Sequence, residues 1–529
     1  MSSSACIETA SPGISSGLRA RLLAAAPLAV FAFALLALWL SYGNRLTLGT
    51  NDEGIYLDAG ERILQGQKPY VDFFCYMSPG SFWMQALAFR LLGVSLAAGR
   101  APVILYLALE CALIYWLVER YASRAAAIVT AFVFLAFQAA DPSMLTAQHR
   151  WDSSALSLAS IALCVASQSE SRRRRLVASG ILGAFAALAT PSVALVAIVT
   201  LAWLAGPAGR RAGAAWYLLG LSIATTAAGV ALWANGTLLA LLQQLGWLSR
   251  NYSSVNVMHY GAIIGGYRAL FEGARTWELP VRFCVVFCLA LPALLPVVAL
   301  TGGVLFWAQR KAHSEPLRSM IPYLLLSVVA LAASTYPRSD VAHLAYIAAL
   351  PYAVAGILLY RWLPARPRAW IAIWGGAWAT VFALQAQLPG RLLPLHTPVG
   401  DVRASAADAP AIQELLTRVG PHQSLFVYPY KPLLYFLTQT KNPTRYSYLF
   451  PGMMTSEDAG IALSELEAQP PDWVLYMDLN QAEFERVFPS GKGFDSHYPK
   501  LERWIKVNYR PSDWPPLSGY VLLRHTMRQ

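Results

Sequence analysis

The chain has 529 residues, 56% of them hydrophobic and only 13% charged, with a mean hydropathy of +0.43. Soluble domains carry about 25% charged residues, so composition excludes an ordinary globular protein and points to a polytopic α-helical membrane protein. The formal net charge is +12, yet beyond Gln387 14 basic and 14 acidic residues cancel. The excess therefore lies in the loops between apolar segments, where basic residues mark one membrane face. No basic surface exists outside those loops, and no nucleic acid is expected as a partner.

Residues 1–18 are rich in Ser and Gly and read as a cytoplasmic tail. Arg19 and Arg21 precede Leu22–Leu40, close to the ~20 apolar residues that a bilayer requires. Further apolar spans follow at Ala101–Val118, Ala125–Ala139, Ser153–Ser167, Leu176–Ala189, Ser192–Ala205 and Ala214–Ala234. The series ends with Val281–Trp307, Met320–Ser334, Leu344–Tyr360 and Trp370–Leu384. Basic clusters (Arg120/Arg124, Arg172–Arg175, Arg210/Arg211, Arg310/Lys311/Arg318, Arg361/Arg366/Arg368) fall on every second loop. The pattern predicts about eleven transmembrane helices over 19–386, with the N-terminus cytoplasmic and the C-terminus outside.

Two stretches interrupt that rhythm. In the first outer loop, 43–99, Phe82–Leu92 carries Gln85 and Arg90 and is too short to span. It and Asp58–Leu64 read as amphipathic helices lying in the interface. Beyond 387, strand-like Ser424–Tyr428, Asp472–Tyr476 and Tyr520–Leu523 alternate with helical Ala409–Leu416, Leu433–Leu437, Gln481–Phe488 and Leu501–Val507. That alternation predicts a C-terminal α/β soluble domain over 387–529, on the outer side.

Three outer loops bring ionisable groups to one face. Asp52-Glu53 stands where the first span meets water. A carboxylate is costly in hydrocarbon and belongs at an interface or in a wet cavity. Asp52 reads as a general base for an acceptor hydroxyl, with Glu53 orienting or polarising; the alternative is a solvated acidic cap on a helix. In the second loop, His149, Arg150 and Asp152 surround Trp151. They suit anion handling or a second acidic site, a role Asp141 could equally fill; the alternative makes Trp151 an interface anchor with solvated neighbours. In the third, Arg338, Asp340 and His343 stand close together. Arg338 and His343 suit a phosphate, which guanidinium grips bidentately, unless Arg338 and Asp340 merely cap the next helix. Lys68, Arg268 and Arg275 are weaker candidates of the same kind. Cys284 and Cys288 share a helix face in an apolar run and read as small buried hydrophobes. No phosphate-binding loop, nucleophile elbow or zinc motif occurs.

Asp52-Glu53 with Tyr56, Ala59, Leu64-Gln65-Gly66 and Pro69-Tyr70-Val71-Asp72 resembles the first outer loop of the GT-C glycosyltransferases. The likeness continues through Pro79-Gly80-Ser81-Phe82, Phe89-Arg90-Leu91-Leu92-Gly93-Val94-Ser95 and Arg100-Ala101. It is strongest to the protein-O-mannosyltransferase and aminoarabinose-transferase branch, over residues 45–160 and again at Arg338–His343. The resemblance implies sugar transfer from a polyprenyl-phosphate donor to a glycan, lipid or protein acceptor, outside the bacterial plasma membrane and with inversion. Asp52 matches the catalytic acidic position and Glu53 its partner, with Asp152 or Asp141 as the second-loop acid. Tyr56 belongs to the matching loop, and Arg338 and His343 would lie near the lipid phosphate. The W-W-D-Y-G signature of oligosaccharyltransferases is absent, and Pro79-Gly80 replaces the two prolines of many relatives. Arginine can supply the charge such chemistry needs, so no cofactor and no metal ligand are expected, a divalent cation being the alternative. A transporter of lipid-linked sugars should show internal repeats and midplane charges, and neither is evident. A non-catalytic envelope-assembly subunit is the third reading.

Overall fold

The computed structural model describes residues 25–526 except 44, 46–51, 141–144, 169–171, 207–210, 310, 312–313, 363–368, 371, 378–391, 422, 451, 494 and 496. The expected tail 1–18, Asp141 and most of the expected span Trp370–Leu384 lie outside the described residues. The membrane part begins with α1 (Ala26–Tyr42), α2 (Asp52–Leu64), α3 (Gly80–Leu92), α4 (Leu96–Tyr121), α5 (Arg124–Ala140) and α6 (His149–Ala166). It continues through α7 (Arg172–Ala189), α8 (Ala194–Ala205), α9 (Arg211–Ala234), α10 (Leu238–Val255), α11 (Leu279–Ala308), α12 (Glu315–Ser334), α13 (Val341–Tyr346) and α14 (Ala349–Trp362).

Four stretches, Leu96–Tyr121, Arg211–Ala234, Thr276–Ala308 and Leu317–Ser334, are long and apolar enough to cross a membrane, and four shorter helices are apolar. The expected span Leu344–Tyr360 is broken. Asp340 caps the short α13 by accepting from the His343 backbone N–H, and the chain restarts at Ala349. The long loop after Ala234 contains α10, whose apolar residues are interrupted by Gln243, Gln244 and Arg250 and escaped the span pattern. Helices α7 and α9 approach until backbone meets backbone. A Cβ on Gly180 would fall 2.1 Å from the Tyr217 carbonyl oxygen, and one on Gly220 the same distance from that of Val177. Small residues permit such contact where the hydrophobic effect cannot drive helix association.

One end of the bundle gathers the segments expected outside. His149 meets Thr190, Ser192 donates to the Ser334 carbonyl, and Arg338 donates to Asn256. At the opposite, basic end Arg361 donates to the Tyr121 carbonyl.

The first outer loop forms two helices as expected, but α2 does not lie on the bilayer surface. Its Glu53–Leu57 and Ala59–Glu61 are buried, held between α3 and the C-terminal region. The C-terminal region has a hairpin of β1 (Leu392–Thr397) and β2 (Gly400–Ser405), then α15 (Ala409–Arg418), β3 (Leu425–Tyr428) and α16 (Leu433–Thr438). Next come α17 (Ser456–Ala468), β4 (Trp473–Tyr476), α18 (Gln481–Val487), α19 (Pro499–Asn508), β5 (Tyr509–Pro511) and β6 (Val521–His525). The sheet order is β3-β4-β6-β5, with β3 and β4 parallel and the other pairs antiparallel. The hairpin, α17 and β5 were not expected from the sequence pattern.

This region docks on α2 through backbone as well as side chains. A Cβ on Gly54 would sit 1.9 Å from the Leu433 nitrogen. Ser447 donates to Asp58, and Gln439 donates to Glu61 at 2.8 Å. Gly54→Ala should therefore force α2 and α16 apart, costing about 1–3 kcal/mol; a melting temperature equal to wild type would contradict this close approach.

Burial pushes the Glu61 carboxyl up to about 6 from its ordinary 4.5, outweighing the Gln439 hydrogen bond that lowers it. A carboxyl raised by folding binds more protons in the native state. Its contribution to stability is complete below 4.5 and is lost as pH rises through about 6. Wild type should thus lose more melting temperature between those pH values than Glu61→Gln, and equal slopes in the two proteins would refute it.

Candidate active site

The site is built from the N-terminus of α2 outward. Adjacent residues on a helix point about 100° apart, so Asp52 and Glu53 cannot share one environment. Glu53 is fully buried and forms a bidentate ion pair with Arg100 of α4, both N···O distances being 2.8 Å. It also accepts from the Ala147 backbone N–H at 3.2 Å. Arg100 in turn donates to the carbonyls of Tyr42, at 3.1 Å, and Arg45. Both oxygens of Glu53 are thus engaged, and the residue ties three chain segments to the helix that carries Asp52.

Asp52 accepts from the Tyr430 hydroxyl and from the Gln148 side-chain amide, the latter at 3.3 Å. Burial, then the Asp52 charge, push the Tyr430 phenol well above its ordinary pKa, so it stays protonated and donates. Around this carboxylate stands an aromatic wall. Tyr76 packs on Trp247, Tyr252 and Tyr448, with centroids 5.5–6.2 Å apart, and Tyr430 packs on Tyr448 and Phe450.

The second and third outer loops meet here. The Tyr252 phenol lies within electrostatic reach of Arg150, Arg338, Asp52 and Asp340. Arg338 donates to Asp340 at 2.8 Å and to Asn256 at 3.2 Å. Asp340 also accepts from His343, through its backbone N–H at 2.9 Å and Nδ1 at 2.7 Å. Burial raises the Asp340 carboxyl, but His343 and Arg338 outweigh it and hold it well below the usual carboxylate range. Burial lowers His343, with Arg150 and Arg338 adding and Asp340 opposing. A neutral His343 that gives its Nδ1–H to Asp340 keeps a lone pair on Nε2. Arg150 is buried, and its Nη1 meets no hydrogen-bond acceptor among the described residues. A buried guanidinium nitrogen without a partner is costly and suits an anionic ligand.

The remaining candidates fall elsewhere. His149 stacks on Tyr56 and its Nδ1 meets Thr190 Oγ1 at 2.6 Å. Tyr56 is buried with its hydroxyl on Met77 Sδ, so it walls the site without offering a donor. Asp152 is buried beside Ser81 and Tyr106. Trp151 is no interface anchor: it is wholly buried, edge-on against Tyr346 at 4.9 Å. Lys68 is exposed in the turn after α2, roughly 18 Å along from Asp52 by helix rise. Sequence reasoning missed Tyr430, Arg100 and Asn256. The available signal for Tyr430 was its place just past the carboxyl end of a parallel strand, where α/β sheets present ligand-contacting residues.

Residues 76–233 match the family model described as dolichyl-phosphate-mannose-protein mannosyltransferase. ArnT from Cupriavidus metallidurans, solved with undecaprenyl phosphate, superposes with a TM-score of 0.55 at 14% identity, covering 96% of this chain and 98% of that one. The chain has an ArnT-like fold, and its residues 76–233 are similar to that mannosyltransferase family. The oligosaccharyltransferase of Archaeoglobus fulgidus, solved with Zn and sulfate, matches with a TM-score of 0.50 at 12% identity, over 91% of this chain and 71% of its own. No curated protein matches the sequence. Over nearly its whole length, then, this chain follows a fold that tolerates wide sequence divergence.

The Glu53–Arg100 pair should carry a measurable share of that fold's stability here. Removing one member of a buried pair costs about 3–5 kcal/mol, whereas replacing both with apolar groups is often neutral. Arg100→Met should unfold far below wild type in detergent, and Glu53→Leu combined with Arg100→Met should recover most of the loss. A single variant within about 1 kcal/mol of wild type would remove the pair from this role.

Proposed function

We propose that this chain transfers a sugar from a polyprenyl-phosphate donor to an acceptor hydroxyl at the outer membrane face, with inversion at the anomeric carbon. One observation carries the reading: a half-buried carboxylate, Asp52, shares an aromatic-walled site with a cationic group in which Arg150 Nη1 has no partner among the described residues. Asp52 takes the acceptor proton as the acceptor oxygen bonds to the anomeric carbon. The bond from that carbon to the phosphate oxygen breaks, and the lipid phosphate leaves with the electron pair. Arg150 and Arg338 stabilise the charge that develops on it. Tyr430 and Gln148 hold the base in place, and Glu53 acts through α2 as a positioning residue. Asp152, Lys68 and His149 have no direct step in this scheme. The chemistry uses side chains of this chain and calls for no resident cofactor. Sugar transfer from lipid phosphates is supported by the match to the mannosyltransferase family and by the undecaprenyl phosphate bound in the ArnT structure.

The same reading assigns about eleven crossings. Because Tyr430 touches Asp52, the region after 392 and the first loop lie on one side, which requires an even number of crossings between them. Ten after the first span meets that condition, with 1–18 in the cytoplasm of a bacterial cell, 19–386 in its plasma membrane and 387–529 outside.

The test is label release from a panel of polyprenyl-phosphate sugars in proteoliposomes. Asp52→Asn should insert normally and lose about 10²–10⁴-fold in rate, and Arg150→Gln should lower the rate at saturating donor as well as weaken donor binding. Full activity in Asp52→Asn would sink the base assignment. Donor-dependent flux without product would favour a transporter.

A further inference from the structure

Some distance along the sequence from Asp52, three residues of the C-terminal region meet at the surface. Asp478 follows β4 by two residues, His497 precedes α19, and Glu502 lies in the first turn of α19. Their ligand atoms all lie within 4.8 Å of one another. His497 Nδ1 is 3.0 and 3.2 Å from the two Glu502 oxygens and 3.9 Å from Asp478 Oδ1. Donor atoms about 2.0–2.2 Å from a tetrahedral zinc ion are separated by roughly 3.3–3.5 Å, so side-chain shifts of about 1 Å would bring these three into a coordination sphere.

Two further features favour a cation. Both carboxylates are oriented from behind, as outer-shell donors orient metal ligands. The Tyr428 hydroxyl donates to Glu502 Oε1 at 2.6 Å and the Tyr476 hydroxyl to Asp478 Oδ1 at 3.1 Å. Those tyrosines stack in parallel on neighbouring strands, 5.7 Å apart. The charge is also unbalanced. Among the described residues no Lys or Arg pairs with either carboxylate; Lys506 lies over the Tyr476 ring. Even a protonated His497 leaves one negative charge, which a dication with neutral imidazole would cancel.

The site closes the base of the excursion 479–496. That excursion carries Phe488, whose ring lies 5.2 Å from the Arg338 guanidinium carbon. It also carries Ser490, which accepts from the Val257 N–H at 3.1 Å and donates to the Val255 carbonyl at 2.5 Å. Both contacts flank Asn256, the acceptor of Arg338.

We propose that Asp478, His497 and Glu502 form a structural site for a divalent transition-metal ion that clasps the excursion 479–496 and so fixes Phe488 against Arg338. One imidazole and two carboxylates suit Zn²⁺ better than Ca²⁺, which takes six to eight oxygens. The binding itself does not depend on the proposed sugar transfer; only its consequence for Arg338 does.

The test uses the full chain in detergent, stripped with chelator and reloaded with Zn²⁺ or Ca²⁺. Wild type should retain about one Zn²⁺ per chain after desalting, and His497→Ala and Asp478→Asn should each weaken binding at least about 10-fold. Both side chains are at least partly exposed, so the variants should fold; Glu502, buried under Tyr428, is left intact. Zn²⁺ should also slow tryptic cleavage after Arg486 and Lys492 in wild type but not in the variants. No Zn²⁺ uptake at micromolar concentration, equal uptake by wild type and both variants, preference for Ca²⁺, or cleavage indifferent to Zn²⁺ would each overturn the proposal. If the metal binds as expected while no lipid-linked sugar is turned over, the clasp stands and the activity reading fails.

Discussion

The bidentate pair between Glu53 and Arg100 is the interaction on which the site depends. Both groups are withdrawn from water, and taking two such charges into a low-dielectric interior costs several kcal/mol per ion. The pair is therefore a poor device for stability alone. Its return is positional. Arg100 also donates to the Tyr42 and Arg45 carbonyls at the end of α1, and Glu53 accepts from the segment before α6. Three segments at one end of the bundle are thereby held in a fixed relation, and the first turn of α2 is held with them. Asp52, one residue earlier, inherits that placement while its own carboxylate faces another way.

The second constraint is the close approach at Gly54, which lets the C-terminal region reach the site. Any side chain there would collide with the Leu433 backbone. With hydrogen alone, α16 seats against α2, and the chain leaving β3 passes over Asp52, delivering Tyr430. The parallel pairing of β3 and β4 sets that direction, since both strands end toward the same edge. The membrane part thus supplies the carboxylate and the cations, and the C-terminal sheet supplies the hydroxyl that holds the carboxylate and part of the aromatic wall.

Much of this was legible in the residues. Apolar runs and alternating basic loops located most of the helices, and the acidic pair after the first run marked the site, because ionisable groups at a membrane face are expensive unless used. The rest depended on contacts distant in sequence. Nothing local distinguishes Asp52 from Glu53; only Arg100, 47 positions on, makes one structural and leaves the other available. Tyr430 is 378 positions from its partner. The break after α13 falls where the Gln138 side-chain amide, 207 positions away, donates to the Ala345 carbonyl. An apolar-span pattern does not register that. Trp151 misled for a related reason: tryptophan at a membrane boundary ordinarily anchors, but here Tyr346 occupies the space that lipid would fill.

The distribution of charge around Asp340 bears on how the proposed site would hold a phosphate. Arg150 and Arg338 without a counter-ion would repel each other. Asp340 neutralises about one charge and pins Arg338 and His343 by hydrogen bonds from both. The net positive charge that remains is concentrated on Arg150, which no carboxylate contacts among the described ion pairs. An incoming phosphate would therefore meet one unsatisfied guanidinium flanked by two immobilised cationic or neutral partners. Such an arrangement needs little reorganisation as charge develops on the leaving oxygen, and a preorganised environment of that kind is worth most in a walled, largely dry site. Tyr76, Tyr252, Trp247 and Tyr448 supply the wall, so the aromatic and cationic parts of the site form a single electrostatic device.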